Sequence, residues 1–347
     1  MRTLYLFLLL ICIPLCSVNA QLTDVVTGLN DPSRLLLNGN DLYFTTPSTI
    51  SKIDITVPSP TPEVVVTGLS TATGMVLNGN DLYVAQFNGG KISKIDISNP
   101  NPTVQDVITG LNTPNGLAIR GNFIYFSDNN NNTVRRVDYT NPGAPEVVAT
   151  SAFNFNPIGL VFDDNLLYIS SGIANRVSTV DVTSGVTTPV DVVVGVNRPL
   201  GIRLNSTNLY IAERNDNKIS VNDITSGSNI AEDLVTGLNQ PSDIALNNEF
   251  LFILESGANK ISKYPLLLGI EESNASRLTL YPNPANGGII NISGVQEPAA
   301  VAIMNMLGQK VKELTLSPME EIDISDLASG SYILSIDDTT HLRFIKN

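Results

Sequence analysis

Short apolar and alternating runs recur along this chain in sets of four. The clearest set lies within residues 114–150. Residues 116–120 and 123–127 are short and apolar, 133–139 alternate, and 146–150 form a fourth run. Runs of this length, bounded by Gly, Pro and Asn, predict β-strands rather than helices. In the first two sets, Asn38-Gly39-Asn40-Asp41 and Asn78-Gly79-Asn80-Asp81 separate the first run from the second. Asn-Gly at this place predicts a tight hairpin with positive φ at both central positions. Segments such as Ser98-Asn99-Pro100-Asn101-Pro102 follow the third run and suit irregular loops.

The sets are copies of one unit. Val25-Val26-Thr27-Gly28-Leu29 recurs as Val65-Val66-Thr67-Gly68-Leu69, Val107-Ile108-Thr109-Gly110-Leu111 and Leu234-Val235-Thr236-Gly237-Leu238. Weaker copies stand at Val193-Val194-Gly195-Val196 and Val147-Val148-Ala149-Thr150. An aromatic flanked by aliphatics marks the second strand at Tyr43, Tyr83, Tyr125, Tyr168, Tyr210 and Phe252, at spacings of 40, 42, 43, 42 and 42 residues. Four antiparallel strands in about 42 residues is the pattern of a propeller blade. One blade cannot bury both faces, whereas six stacked around an axis can. The first Val-Thr-Gly-Leu strand precedes the first hairpin, and the last set ends after three strands near Tyr264. Pairing residues 22–29 with 260–264 therefore completes the sixth blade with chain from both ends.

The pattern changes from about Leu278. Leu280-Tyr281-Pro282-Asn283-Pro284 precedes Ile289-Ile290-Asn291-Ile292, and further strand runs end at Phe344-Ile345-Lys346-Asn347. This predicts a small β-sandwich. The expected fold class is all-β: a six-bladed β-propeller over residues 21–268, a linker over 269–277, and a C-terminal sandwich over 278–347.

Residues 1–20 read as a signal peptide: Arg2, an apolar run from Leu4 to Leu15, and the short residues Val18-Asn19-Ala20 before Gln21. The run is too short to span a bilayer comfortably and no second one follows, so the chain is not expected to be membrane-spanning. Leu15 is too large for a good lipobox before Cys16. Cys12 and Cys16 are the two cysteines of the chain, so the mature part has no disulfide and no thiolate site. The net charge of −13 argues against nucleic acid and anionic membranes as partners. A monomer is expected.

Pro114-Asn115-Gly116-Leu117-Ala118-Ile119 followed by Ile124-Tyr125-Phe126-Ser127-Asp128 resembles NHL-type repeats and the gluconolactonase/regucalcin-like propellers, over residues 22–268. That fold hosts binders and enzymes alike, so the resemblance implies a fold rather than an activity. The tail resembles the type A sorting domain of the bacterial type IX secretion system. The matching features are Pro282-Asn283-Pro284, the turn containing Gly308, the Gly330-Ser331-Tyr332 segment and the basic end at Lys346. This resemblance implies passage through the periplasm to the cell surface or medium, with the secretion machinery as the tail's partner. The plainer alternative is an adhesive sandwich.

The only histidine is His341, in the tail, so the propeller lacks a histidine base or zinc ligand. In the resembling propellers, the first strand's start and the second strand's end face the central opening. Here those places hold Asn115, Asp128, Glu213, Asp243 and Glu255, hard oxygen ligands of a kind that suits Ca²⁺. Aliphatic Ile158 and Leu200 interrupt that set, and Arg34 is placed to pair with Asp243 or Glu255. The run Asp128-Asn129-Asn130-Asn131-Asn132 reads as a hairpin loop, and the repeated tyrosines as packing between blades. Three functions stay open: a module binding protein or carbohydrate, a metal-dependent lactonase-like hydrolase, and a structural module of a surface assembly.

Overall fold

The computed structural model describes residues 21–151, 155–266 and 278–347, apart from 294, 296–297, 306–308, 318–320 and 338–339. The signal peptide, the linker and Gly308 lie outside the described residues. The chain divides into two compact units, Met1–Leu267 and Leu268–Asn347. The described elements are all strands, and no described helix is long and apolar enough to cross a membrane.

The first unit contains six four-stranded antiparallel sheets; five are simple meanders, and the sixth takes its outer strand from the N-terminus. We number them as blades one to six in chain order, starting from the sheet that begins at Leu35. Blade three runs Pro114–Arg120, Phe123–Asp128, Thr133–Asp138 and Glu146–Thr150. Its first strand starts two residues earlier than its apolar run, because a register shift between Pro114 and Leu117 inserts a bulge. Blades two, four, five and six shift at the same place. First strands of successive blades touch one another around a closed circuit, so they line the axis.

The hairpins differ from expectation. Asn38 pairs with Asp41 and Asn78 with Asp81, so the central residues are Gly39-Asn40 and Gly79-Asn80. Only the glycines take positive φ, 57° and 59°. Positive φ confined to the first central residue is the II′ pattern, which places Gly first.

Apolar side chains on both faces of the blades form six clusters, one at each blade junction. Leu82 and Val84 face blade one, while their neighbours Tyr83 and Ala85 face blade three. Burial on both faces explains why the second strands are apolar without interruption. Tyr43, Tyr83, Tyr125, Tyr168, Tyr210 and Phe252 are all buried in these junctions. The sixth junction needs the N-terminus. Thr23–Val26 pairs antiparallel with Lys260–Pro265 as the outer strand of blade six, and Lys260 Nζ donates to Asp24 Oδ1 at 2.7 Å.

The second unit contains a three-stranded sheet (Thr279–Tyr281, Ile289–Ser293, Glu321–Asp323) and a four-stranded one. The latter orders Lys310–Leu316, Ala299–Asn305, Gly330–Ile336 and Thr340–Lys346. Both contribute to one apolar cluster that includes Ile290, Ile322, Val301, Leu334 and Phe344. Gly330 opens the third of those strands. Tyr332 stacks on Phe344 at 5.5 Å, and its hydroxyl donates to Ala328 O at 2.8 Å.

The beginning and end of this unit are stitched together. Asn283, between Pro282 and Pro284, donates through Nδ2 to Arg343 O and accepts from Ile345 N, both at 3.0 Å. Its amide thus copies one rung of a strand pairing. Ala285 N donates to Ile345 O at 2.7 Å, and Asn347 N donates to Ala285 O at 3.0 Å. The Lys346 ammonium donates to the carbonyls of Ile324, Ser325 and Leu327.

Candidate functional site

One aligned position dictates the axis. It stands two residues after Pro32, Ala72, Pro114, Pro157, Pro199 and Pro241, and holds Arg34, Gly74, Gly116, Gly159, Gly201 and Asp243 in blades one to six. The four glycines are needed for space. A Cβ on Gly116 would stand 1.9 Å from the carbonyl oxygen of Ile158 in blade four. On Gly74 it would stand 2.3 Å from Asn115 O, and on Gly159 2.4 Å from Leu200 O. Second-strand hydroxyls then bridge adjacent blades. Ser127 Oγ accepts from Gly116 N at 2.7 Å and donates to Ile158 O at 3.0 Å. Ser170 does the same with Gly159 N and Leu200 O. The residual axial cavity is about 20 Å³, room for about one water.

This closeness supports a direct test. Gly116→Ala forces blades three and four apart and is expected to cost about 3 kcal/mol in urea unfolding. Gly143→Ala, where a Cβ meets nothing within 4 Å, is expected to stay within about 0.5 kcal/mol. Equal midpoints for the two variants would refute the close-packed axis.

Arg34 and Asp243 stand at adjacent blades where glycine is missing. Asp243 is buried; its Oδ2 accepts from Leu35 N at 2.8 Å and from Arg203 Nη2 at 3.4 Å. Its Oδ1 has no hydrogen-bond partner among the described residues. Arg34, also buried, reaches across the axis: Nη2 donates to Asn115 Oδ1 at 2.8 Å and Nη1 to Ser33 O at 2.9 Å. The expected direct pairing of Arg34 with Asp243 or Glu255 is therefore replaced by an Asn115 bond, and Arg203 takes the Asp243 contact. Burial holds the Arg34 guanidinium below its ordinary value. Asp243 opposes that shift, while Arg203 and Arg214 add to it.

The five acidic and amide candidates do not share one place. Asn115 and Asp243 are axial, as above. Asp128, Glu213 and Glu255 end the second strands and serve their own blades. Glu255 Oε2 accepts from Asn239 N at 2.9 Å, while Oε1 accepts from Ser262 Oγ at 2.6 Å and lies 3.3 Å from Lys260 Nζ. Glu213 is held the same way by Asn197 N, Ser220 Oγ and Lys218. Gln86 repeats the arrangement in blade two with Ser70 N and Ser93. Asp128, one methylene shorter than Glu, accepts from Asn131 Nδ2 at 2.7 Å, and its Oδ1 has no partner among the described residues. Gln86, Glu213 and Glu255 thus fasten the loop that enters their blade, whereas Asp128 holds the hairpin that follows its strand. Among the described residues no three carboxylate, histidine or cysteine groups are gathered as a metal-holding set.

The hairpins after the second strands are latches too. Asn132, Asn175, Asn217 and Asn259 all have positive φ. Each accepts through Oδ1 from a backbone N–H of the following blade's loop: Asn156, Arg198, Gln240 and Asp31 respectively.

Above the axis, on the face carrying these loops, lies a cavity of about 160 Å³. Asp31, Ser33, Arg34, Thr71, Arg214, Ser242 and Ser256 line it. Arg34 borders both this mouth and the axial cavity. Arg214 donates to Gln240 Oε1 at 2.8 Å. Its guanidinium is also held below its ordinary value, by burial first and then by Arg198, with Asp31 opposing. Sequence reasoning missed Arg203, Arg214 and the mouth. The aligned Pro-x-Gly starts at Pro114, Pro157 and Pro199 were the available signal, since they mark where Arg34 and Asp243 break the pattern.

Residues 279–346 match the family of secretion system C-terminal sorting domains. The chain therefore carries such a domain and is exported by type IX secretion to the cell surface or extracellular space. No curated protein sequence matches the chain. Among solved structures, an auxiliary nutrient binding protein from Bacteroides thetaiotaomicron is similar at 16% identity and TM-score 0.59, covering 70% of this chain and 75% of that one. A gluconolactonase from Xanthomonas campestris is similar at 15% identity and TM-score 0.58, covering 72% and 90%. Virginiamycin B lyase from Staphylococcus aureus is similar at 17% identity and TM-score 0.55, covering 72% and 100%. At these identities the likeness shows the fold: the first unit is a β-propeller.

Proposed function

We propose that this exported propeller is a binding protein, and that it takes a protein or carbohydrate ligand on its loop face at the axial mouth. The observation that carries this reading is the mouth itself, a concavity on the loop face beside the axis, lined by hydroxyls, two guanidiniums and the Asp31 carboxylate. Convergent polar groups in a concave place are the general mark of a ligand site. Two of the candidate carboxylates support binding over hydrolysis, because Glu213 and Glu255 spend both oxygens on loop amides, serines and lysines. A nucleophile or general base must keep reach toward a substrate. A binding role is also one that this fold carries in the auxiliary nutrient binding protein.

A glycan and protein array probed with the chain lacking residues 1–20 tests the proposal. The expected result is a ligand retained by the wild type and lost by Ser256→Trp, which fills the mouth. Capture unaffected by Ser256→Trp would move the site elsewhere, and turnover of a lactone by the same preparation would replace binding with catalysis.

A further inference from the structure

Charge at the mouth runs against the charge of the chain. The protein carries −13 overall. Yet Arg34, Arg198, Arg203 and Arg214 gather around the axis and its loop face, opposed by Asp31 and Asp243. The Oδ2 atom of Asp243 is already committed to Leu35 N and Arg203. Among the described residues, neither Arg34 nor Arg214 has a carboxylate within 4.0 Å. Their side-chain bonds go to neutral oxygens of Ser33, Asn115 and Gln240. A cation removed from water without a matching anion is costly, and a bound anion relieves that cost.

We propose that the mouth holds the carboxylate of an acidic sugar, with Arg34 and Arg214 as its guanidinium partners. This rests on the reading of the mouth as the binding site and names the ligand's chemistry. The planar fork of a guanidinium matches a carboxylate with two parallel hydrogen bonds. The volume of about 160 Å³ is well below the ~300–1,000 Å³ of sites that enclose a drug-sized ligand. It therefore takes one end group and leaves the rest of a longer ligand on the loop face. The surrounding hydroxyls of Ser33, Thr71, Ser242 and Ser256 suit the hydroxyls of a sugar ring. The apolar side chain that flanks a peptide's terminal carboxylate finds only Pro32, Pro47 and Ala72 there.

Titration calorimetry on the chain lacking residues 1–20 tests this with D-glucuronate, D-galacturonate, the neutral sugars D-glucose and D-galactose, and N-acetyl-trialanine. The expected result is binding of a uronate at least about tenfold tighter than its neutral counterpart, weakening as salt rises. Arg214 is only half-buried, so Arg214→Gln is expected to keep the thermal midpoint while weakening the uronate about tenfold. A neutral sugar bound as tightly, an unaffected Arg214→Gln variant, or no uronate binding overturns the proposal. Tighter binding of N-acetyl-trialanine overturns the sugar assignment. A neutral array ligand that Ser256→Trp removes would leave the mouth as a binding site while refuting its anion chemistry. Array ligands indifferent to Ser256→Trp refute the mouth itself.

Discussion

A chain that starts at Asn30, lacking residues 22–29, is expected not to show a cooperative unfolding transition near that of the mature chain. The missing strand, Thr23–Val26, is the outer strand of blade six and is hydrogen-bonded to Lys260–Pro265. It buries Val26 in the junction between blades six and one, with Val25 and Leu29 packed against the same cluster. Leu22 packs at the junction between blades five and six. Burying such a side chain fully stabilises by about 1.5–3 kcal/mol, so four partly or fully buried ones sum to about 4–6 kcal/mol. Folded domains commonly hold about 5–15 kcal/mol in total. The deletion also exposes the edge of Lys260–Pro265 and removes the Lys260–Asp24 ion pair, whose atoms lie 2.7 Å apart. Thermal unfolding followed by circular dichroism checks it. A midpoint within about 3 °C of the mature chain would show that the ring does not depend on its N-terminal strand.

Removing residues 278–347 is expected to leave a folded propeller in the periplasm of the native host, with export to the surface or medium reduced at least about tenfold. The tail has its own core, formed by Ile290, Val301, Ile322, Leu334 and Phe344. Among the described residues, the six propeller clusters are built from the first unit alone. The tail is recognised as a secretion sorting domain over residues 279–346. Its features act together in the folded state, because the amide of Asn283 pairs with the last strand and Lys346 is engaged by three carbonyls. The Lys346 charge is spent on this stitching, which favours recognition of a folded surface over a free basic end. Grafting residues 278–347 onto an unrelated periplasmic protein is expected to carry it outside. Cell fractionation with a periplasmic marker decides both arms. Wild-type export of the truncated chain, or a grafted cargo that stays in the periplasm, would overturn the tail's role as the address.

The repeating pattern made most of the fold legible. Tyr43, Tyr83, Tyr125, Tyr168, Tyr210 and Phe252 recur at near-constant spacing and all lie buried between blades. A stacked ring imposes the same burial on every copy, so each copy repeats the same apolar positions. The missing fourth strand of the last repeat likewise pointed to the N-terminus, because an open edge must find a partner. The tail was legible for a different reason: Asn283, Tyr332 and Lys346 each make a specific contact that few other residues can copy.

The candidate site was legible only in part. Asn115, Asp128, Glu213, Asp243 and Glu255 were grouped by residue type and strand position, and the structure sends them to two places. Glu213 and Glu255 sit two positions after an aliphatic that faces the same way, and their side chains turn to loop amides of their own blades. Asp243 and Asn115 reach the axis because the bulge after Pro114 and after Pro241 turns the next residues inward.

Sequence by itself determined the strand pattern, the repeat, the closure by both ends and the sorting tail. Each follows from local periodicity or from residues close together in the chain. The tertiary structure alone decided which polar groups meet. Arg34 bonds Asn115, and Leu35 bonds Asp243, across sequence separations of 81 and 208 residues. Such pairs are set by ring closure and by four glycines that bring neighbouring blades into backbone contact. The charge of the mouth is the sum of side chains from blades one, five and six, and no single repeat contains it.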